Sequence, residues 1–202
     1  MTYECIAWMD RVDDSSGIGN NLLEFLFTIN RLKRVKRKGW LFKARVKSSD
    51  AESVAEHSYM LTLLSLIITG MKERSYDIDT CKVIKISLLH DIAESVSGDY
   101  MPEEIDRYDK AKVEDEIMLR LLSLLPSSVA EECYKLWDEY KGMKSKESIL
   151  VHELDKLEMV LQAKTYEHLG YSRETLEEFY STAITYIKDP LLKDILKILV
   201  NK

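Results

Sequence analysis

Apolar residues recur every three or four positions along almost the whole chain, with few interruptions. Residues at that spacing share one face of an α-helix, so the pattern is typical of amphipathic helices. The 202 residues include only 7 glycines and 3 prolines, too few for the many turns of an all-β fold. No segment alternates convincingly between apolar and polar residues as a strand does. The sequence therefore predicts an all-α fold of about seven or eight helices, in a single domain spanning residues 1–202.

Local sequence signals predict where the helices begin and end. Ser53 with Glu56, and Ser128 with Glu131, have the spacing of a capping box, and Asp79 can also cap a helix. Helices that begin after residue 172 are expected to serve packing or dimerisation. The predicted helices cover residues 20–34, 53–71, 79 to the residues before Gly98, 109–125, 128–140 and 146–168, and two more open at Ser172 and Pro190.

Charge is distributed unevenly along the chain. The formal net charge is −6, which argues against a dedicated nucleic-acid-binding protein. Residues 31–47, which include a predicted loop around Gly39, nevertheless carry nine Lys and Arg and no acidic residue. A basic segment in an acidic protein favours an anionic partner, although a solvated loop beside a helix explains the same composition.

Cysteine usage and the N-terminal segment bear on the compartment. The three cysteines are far apart and form no CxxC pair, as is typical of proteins in a reducing environment. The first residues lack the basic region and apolar run of a signal peptide. The most apolar stretch, LTLLSLIITGM, is too short to span a bilayer. We therefore expect a cytoplasmic protein with no membrane partner.

The stretch SLLHDIAESVSGDY, residues 87–100, concentrates titratable side chains in an apolar region. On a continuous helix, His90 and Glu94 share a face one turn apart, and Asp91 flanks them. An unpaired charge in apolar surroundings is costly, so these groups need partners. A divalent metal ion is one such partner, because imidazole nitrogens and carboxylate oxygens bind Zn, Mn, Fe, Co or Mg.

One helical turn cannot complete a coordination shell, so further ligands must come from elsewhere in the chain. His57 lies one turn after the Ser53 cap, and Asp155 lies among apolar residues where a lone carboxylate is otherwise out of place. Each residue alone is weak evidence, because a histidine within a helix is more often a hydrogen-bonded structural residue. His152 and His168 are interpreted as structural residues of that kind, and His152, one turn from Asp155, is the nearest competing ligand.

Several motifs in a fixed order resemble one known family. They are RLKRVKRKGW, ESVAEHSYM, LLHDIAESVSGDYMPEE, LWDEY and LDKLEMVLQA, and the similarity spans about residues 24–168. In these motifs the chain is similar to the HD-domain metal-dependent phosphohydrolases, in their 5′-deoxynucleotidase branch. The resemblance implies a helical HD-domain bundle that removes the 5′-phosphate from 2′-deoxynucleoside 5′-monophosphates by attack of a metal-activated water. It also implies a homodimer, which is common in the family.

The resemblance further implies roles for particular residues. Asp91 is expected to accept a hydrogen bond from the attacking water, and Glu94 and Asp99 match the acidic residues that act on the substrate and on that water. Trp40 matches the tryptophan that packs near the sugar and helps to reject ribonucleotides. One divalent metal ion per subunit, which could be Co, Mn, Mg, Zn, Fe or Ni, is expected to be bound by His57, His90, Asp91 and Asp155.

Two departures from the family pattern concern phosphate binding. Arg37 matches a basic residue of the eukaryotic members, whereas bacterial members carry the key arginine immediately before the tryptophan, where this chain has Gly39. The interval between the tryptophan and the first ligand histidine is also about three residues longer than is usual. Lys43 and Arg45 therefore become further candidates for phosphate contact, and the sequence does not choose between them.

Other functions stay open at this point. A dNTP triphosphohydrolase, or another HD phosphohydrolase, would share the metal ligands, although triphosphohydrolases are generally larger. A non-enzymatic nucleotide-binding module would usually have lost one of the ligand or acidic positions, all of which are filled. A single-stranded nucleic-acid binder could use the basic segment with Trp40 and Phe42, but the acidic remainder of the chain disfavours it. With only four histidines, a His-rich site for two metals is also disfavoured.

Overall fold

Helices make up nearly all of the regular structure in the computed structural model, which describes residues 17–72, 78–101 and 103–201. The helices are α1 (Gly17–Asn30), α2 (Lys38–Phe42), α3 (Val54–Lys72), α4 (Thr80–Leu89), α5 (Glu94–Ser97), α6 (Arg107–Leu122), α7 (Ser127–Gly142), α8 (Lys146–His168), α9 (Arg173–Tyr186) and α10 (Pro190–Asn201). Eight of them have ten or more residues, and within the described ranges β-pairing is limited to one isolated bridge. The all-α prediction and the predicted number of helices are confirmed.

Helix α8 lies at the centre of the molecule, because other helices pack on several of its sides. It contacts α3, α4, α7, α9 and α10, and it buries Leu154, Leu157 and Val160 on successive turns. Each such buried apolar side chain stabilises the fold by roughly 1.5–3 kcal/mol. The acidic residues Asp155 and Glu158 are on the same helix and are therefore buried with it.

The predicted caps of α3 and α4 are confirmed. The Ser53 backbone N–H donates to Glu56 Oε2 at 2.6 Å, and the Glu56 backbone N–H donates to Ser53 Oγ at 3.2 Å, which is a capping box. Asp79 Oδ1 accepts the backbone N–H of Lys82 at 3.1 Å. Because α3 begins at this cap, His57 lies in its first turn. Both helices pack against each other and against α8.

Gly170 ends α8 and reverses the chain, as predicted. Its φ of 94° is in the left-handed region, which glycine adopts without steric cost. The Tyr171 N–H donates to the Tyr166 carbonyl at 3.0 Å and the Gly170 N–H donates to the Glu167 carbonyl at 3.0 Å, as in a Schellman motif. Helix α9 then packs along α8 and α10 packs on both. The C-terminal helices share the main core through Leu176, Tyr180, Leu192 and Leu196.

The segment around Gly39 is a short helix, so the prediction of a loop is wrong. Within α2, Trp40 is only 2% exposed and packs against Tyr166 and Phe179. A helix of five residues is too short to show periodicity in the sequence and would not form alone. Burial of the large indole ring stabilises it instead, and tertiary packing here outweighs local preference.

The second predicted capping box does not form. Helix α7 begins at Ser127, and Pro126 occupies the N-cap position without a side-chain hydrogen bond. Ser128 is therefore already inside the first turn, where its hydroxyl is not at the capping position. The proline, whose φ is fixed by its ring, sets the start of the helix one residue earlier than the serine predicts.

Helix α3 is more apolar than its short central motif indicates. Residues Val54–Met71 are long and apolar enough to cross a membrane, which corrects the sequence-based estimate of a shorter stretch. This is weak evidence for a membrane span, because a core helix passes the same test, and α3 carries the buried His57 and Ser65. The prediction about the N-terminal segment, and the first of the three cysteines, Cys5, lie outside the described residues.

Candidate active site

A cavity of about 380 Å³ lies where α2, α8 and α9 approach the turn that follows α4. Its volume is in the range of sites that bind small molecules. His57 and His90 are buried behind its wall, with 0% and 4% of their surface exposed. Seven of the predicted site residues line the cavity, namely Arg37, Trp40, Lys43, Asp91, Glu94, Asp99 and Asp155.

The two histidines point their Nε2 atoms at each other across 3.3 Å. His90 Nδ1 lies 2.8 Å from the backbone carbonyl of Ser87, and His57 Nδ1 lies 2.6 Å from Glu158 Oε2. Because a carbonyl and a carboxylate only accept, the Nδ1 atom of each ring carries the proton in these bonds. In the neutral rings both Nε2 atoms then present lone pairs to the same point. A carboxylate or carbonyl behind a histidine is the usual support of a metal ligand.

Two carboxylates complete the group around the Nε2 atoms. Asp91 Oδ2 lies 3.0 Å from His90 Nε2 and 3.9 Å from His57 Nε2. Asp155 Oδ1 lies 3.2 Å from His57 Nε2. The ligands come from three places, the first turn of α3, the end of α4 and the middle of α8. His57, His90 and Asp91 place ligand atoms within 4.8 Å of one another, and Asp155 adjoins this group through its contact with His57. Two nitrogens and two carboxylates suit a divalent transition metal or Mg²⁺.

The electrostatics of this group favour a positive charge at its centre. Burial and Arg37 oppose protonation of His57, yet Asp155 and Glu158 raise its pKa to about 10. Burial tends to raise the pKa of Asp155, but Lys156 and His57 hold that pKa well below its ordinary value. The carboxylates therefore remain ionised, and a cation between them replaces the proton that His57 otherwise holds.

A second group of possible ligands lies on the other edge of the His57 ring. Glu52, His57 and Glu158 place ligand atoms within 4.8 Å of one another, all of them buried. Glu158 is occupied by the His57 Nδ1 proton, and Glu52 Oε1 accepts the indole N–H of Trp40 at 2.7 Å. Neither glutamate lines the cavity. The Nε2 side of His57, next to the cavity, is therefore the better metal site.

Glu94 is a buried carboxyl beside the metal ligands. It is 3% exposed, its Oε2 has no hydrogen-bond partner among the described residues, and Lys110 Nζ lies 3.8 Å from its Oε1. Burial, with the nearby charges of Asp91 and Asp99, raises its pKa well above the ordinary value. A group in this state holds a proton that it can give to a substrate.

Glu94 does not share one continuous helix with His90, which corrects the sequence-based geometry. Helix α4 ends at Leu89, and α5 begins only at Glu94. The turn between them is tightened, with the Glu94 N–H donating to the Asp91 carbonyl at 3.1 Å. This turn exposes Asp91 and Glu94 to the same cavity.

Arg37 contacts the metal ligands directly. Its Nη1 lies 3.0 Å from Asp91 Oδ2, and Arg37 lines the cavity. Asp99 Oδ2 accepts the backbone N–H of Lys38, the next residue, at 2.5 Å. One carboxylate thus fixes the main chain at the start of α2, while the arginine places a permanent positive charge beside the metal site.

Comparison with known proteins agrees with this geometry. An HD domain family model matches residues 29–195. The bovine 5′-deoxynucleotidase HDDC2 is 37% identical over 87% of this chain and 82% of its own length, and the human protein of that name is 35% identical over 87% and 83%. The chain belongs to the HD-domain family. Among solved structures, the PH0347 protein of Pyrococcus horikoshii is 31% identical, covers 88% of this chain and 97% of its own, and superposes with a TM-score of 0.70.

Trp40 forms one wall of the cavity in this HD domain together with Phe179. Their rings are stacked with centroids 4.2 Å apart, and the edge of Tyr166 contacts the other side at 5.1 Å. A Cβ atom at Gly39 would lie 3.4 Å from the Phe179 ring. Such a contact is of ordinary van der Waals length, so Phe179 packs directly over residue 39. No sequence motif predicted Phe179.

The two other basic candidates of the HD domain differ in position. Lys43 lines the cavity but is already paired with Glu103 at 2.8 Å and Glu178 at 2.6 Å. Arg45 is exposed, has a positive φ of 56°, and does not line the cavity. Of the three basic residues that the sequence offered for phosphate contact, Arg37 lies beside the metal ligands.

The two remaining histidines are not among the predicted ligands, although His152 also lines the cavity. His152 Nε2 lies 2.9 Å from the Tyr140 carbonyl, and its ring stacks on Tyr140 with centroids 4.1 Å apart. His168 is exposed in the last turn of α8. Sequence reasoning missed the cavity residues Lys110 and Lys156, since a lysine on an amphipathic helix carries no signal of its own.

Proposed function

We propose that the protein is a metal-dependent 5′-deoxynucleotidase, which removes the 5′-phosphate from 2′-deoxynucleoside 5′-monophosphates. The observation that carries the proposal is the convergence of His57, His90, Asp91 and Asp155 beside a cavity that also contains Arg37 and Glu94. The names of the bovine and human relatives support the same activity.

One divalent metal ion fits the side chains that meet at this site. The ligand atoms of His57, His90 and Asp91 lie within 4.8 Å of one another, and Asp155 contacts His57 Nε2. The partners of the two Nδ1 atoms and the guanidinium of Arg37 orient these side chains. His57, His90, Asp91 and Asp155 would hold one divalent ion per subunit, of the kinds that nitrogen and carboxylate ligands accept. When bound, such an ion supplies Lewis-acid stabilisation of a phosphate oxygen and lowers the pKa of water.

Arg37 binds the phosphate dianion in this proposal. Its guanidinium is always charged and offers several N–H donors in a fixed plane, which suits phosphate oxygens. Asp91 holds one of these nitrogens at 3.0 Å, and Arg37 lines the cavity. The same charge stabilises the negative charge that develops as the bond to the 5′-oxygen breaks.

Glu94 is the general acid in this proposal. Its Oε2 lacks a hydrogen-bond partner among the described residues, whereas Asp99 Oδ2 is engaged by the Lys38 N–H. The raised pKa of Glu94, caused mainly by burial, keeps a proton available for the leaving 5′-oxygen. Asp99 is left to orient substrate and α2.

The deoxynucleoside lies along the wall formed by Trp40 and Phe179. This wall is apolar and lies within the same cavity as the metal ligands, so it suits a sugar that lacks the 2′-hydroxyl. A 2′-hydroxyl placed against it would lose water without gaining a hydrogen bond, which disfavours ribonucleotides.

Phosphate release from matched substrates tests the proposed function. Protein stripped of metal and reloaded with Co²⁺ or Mn²⁺ is expected to release phosphate from deoxynucleoside monophosphates and far less from ribonucleoside monophosphates of the same base. Release of tripolyphosphate from a dNTP would favour a triphosphohydrolase. Nucleotide binding with no release of phosphate would favour a non-enzymatic module. His90→Ala serves as the inactive control.

We also propose a homodimer that forms through the exposed face of α3. The side chains of Tyr59, Leu63, Leu66, Ile67 and Met71 are each more than a third exposed and follow helical spacing. Apolar patches of this kind mark interfaces. Residues 117–125 form a second apolar stretch, in which Met118, Leu121 and Leu122 are buried and Leu119 is 53% exposed.

Leu66→Lys is expected to weaken the dimer by about tenfold or more, because a charge would be buried in an apolar interface. Sedimentation velocity over a range of protein concentrations measures the effect. Ile184→Lys, on α9, introduces the same charge at a residue of similar exposure and is expected to leave association unchanged. A wild-type protein that stays monomeric at all concentrations would contradict the proposal.

A cytoplasmic location, without nucleic-acid or membrane partners, remains part of the proposed function.

A further inference from the structure

Glu52 is a buried acidic residue that the proposed reaction does not use. It is 7% exposed and lies immediately before the cap of α3. Its Oε1 accepts the Trp40 indole N–H at 2.7 Å. Its backbone carbonyl accepts the Arg37 N–H at 3.1 Å, and its backbone N–H donates to the Tyr166 hydroxyl at 2.9 Å. One residue therefore connects the start of α2 to α8.

The same side chain reaches the rear of the metal ligands. Glu52, His57 and Glu158 bring their ligand atoms within 4.8 Å of one another, and Glu158 orients the His57 ring. Glu52 thus lies between two parts of the site. On one side are the residues proposed to bind phosphate and sugar, and on the other is the support of a metal ligand.

The sequence places these parts on separate segments, so their relative position must be fixed by a contact. Arg37 and Trp40 belong to the basic segment 31–47, and α2 has only five residues. Such a short helix cannot hold its own orientation. Substrate-positioning groups must be held within a fraction of an ångström to be effective.

We propose that Glu52 is a positioning residue, which fixes Trp40 and Arg37 relative to the metal ligands and thereby sets the preference for deoxy over ribo substrates. This inference rests on the proposed function. Glu52 does not touch substrate, and it acts through the indole that it orients. A residue with a purely structural role would affect stability without changing the preference between two substrates that differ by one hydroxyl.

The test uses Glu52→Leu and Glu52→Gln in the full-length, metal-loaded protein. Glu52→Leu removes the acceptor of the indole N–H and is expected to lower the deoxy-to-ribo ratio of kcat/KM by about tenfold, mainly through KM. Glu52→Gln keeps an acceptor oxygen at the same place and is expected to stay within about threefold of wild type. Asp50→Leu makes the same change two residues earlier, at an exposed carboxylate, and is expected to leave the ratio unchanged.

Coupling to Trp40 separates positioning from general destabilisation. Trp40→Phe removes the indole donor, so adding Glu52→Leu to it is expected to change the ratio little further. Additive losses in the double variant would overturn the proposal. So would a folded Glu52→Leu protein that keeps the full preference. If Glu52→Leu does not fold, Tyr166→Phe removes the hydroxyl that accepts the Glu52 N–H while keeping the ring, and an unchanged ratio there would count against the proposal.

Tryptophan emission from the metal-free protein gives a readout that does not depend on turnover. The difference between wild type and Trp40→Phe gives the part of the emission that comes from Trp40. Glu52→Leu is expected to change that part, whereas Glu52→Gln and Asp50→Leu leave it as in wild type. If wild type releases no phosphate from any monophosphate, the proposed function fails, and the emission result still decides whether Glu52 positions Trp40. An emission spectrum that is identical in Glu52→Leu and wild type would overturn the positioning role.

Discussion

Asp91→Asn is expected to lower kcat/KM for a deoxynucleoside monophosphate by about 10³-fold or more and to remove the bound metal. The substitution keeps the shape of the side chain but removes the charge that His90 and Arg37 both contact. It also leaves the guanidinium of Arg37 without its carboxylate partner. Steady-state phosphate release, together with metal content measured after gel filtration, checks the effect.

The effect of added metal on the Tm is a second measurement on the same variant. A ligand that binds the folded state at a hundred times its Kd stabilises it by about 2.7 kcal/mol. Added Mn²⁺ or Co²⁺ is therefore expected to raise the Tm of wild type but not of Asp91→Asn. Asp138→Asn is the matched control and is expected to behave as wild type, because Asp138 is a half-exposed residue of α7 that pairs with Lys144. An Asp91→Asn protein that retains metal and turnover would remove Asp91 from the site.

Glu94→Gln is expected to lower kcat by about 10²–10⁴-fold while metal binding and substrate binding persist. The amide keeps the volume of the buried carboxyl but cannot give a proton to the 5′-oxygen. Because Glu94 lies beside the metal ligands rather than among the four of them, the loss is expected in kcat and not in metal content. Single-turnover phosphate release, with metal content and nucleotide binding measured on the same sample, separates these effects.

Glu114→Gln is the matched control for Glu94→Gln. Glu114 also pairs with Lys110, at 3.4 Å, and burial likewise raises its pKa, but it does not line the cavity. It is expected to change kcat by less than about fivefold. Near-normal turnover in Glu94→Gln would assign the proton transfer to another group, and Asp99→Asn would then be tested in the same assay.

The proposed ligand set could be named from the sequence because its members fall in motifs with a fixed order. His90 and Asp91 adjoin an apolar helix, and Asp155 interrupts another one, so each is conspicuous where it stands. The structure brings these side chains together with His57 at one edge of the cavity. The sequence could not show the tight turn that ends α4 at Leu89, because its residues also fit a continuous helix.

The residues that orient the proposed ligands and line the cavity could not be predicted from the sequence in the same way. Glu158 becomes significant only when α8 packs against α3 and brings its carboxylate to His57 Nδ1. Phe179 becomes a cavity wall only after Gly170 turns α9 back along α8. These contacts join residues that are far apart in sequence, and no local spacing encodes them. Arg45 illustrates the reverse case, since its charge suggested a contact that the turn at this residue does not provide.

Diffraction from crystals of Glu94→Gln loaded with Co²⁺ and a deoxynucleoside monophosphate, measured at the cobalt absorption edge, tests the central claim most directly. We predict one anomalous peak per subunit, bounded by His57 Nε2, His90 Nε2 and the carboxylates of Asp91 and Asp155, with the 5′-phosphate between it and Arg37. A peak on the Glu52 side of His57, a second peak of equal height, or a phosphate bound away from Arg37 would contradict the account.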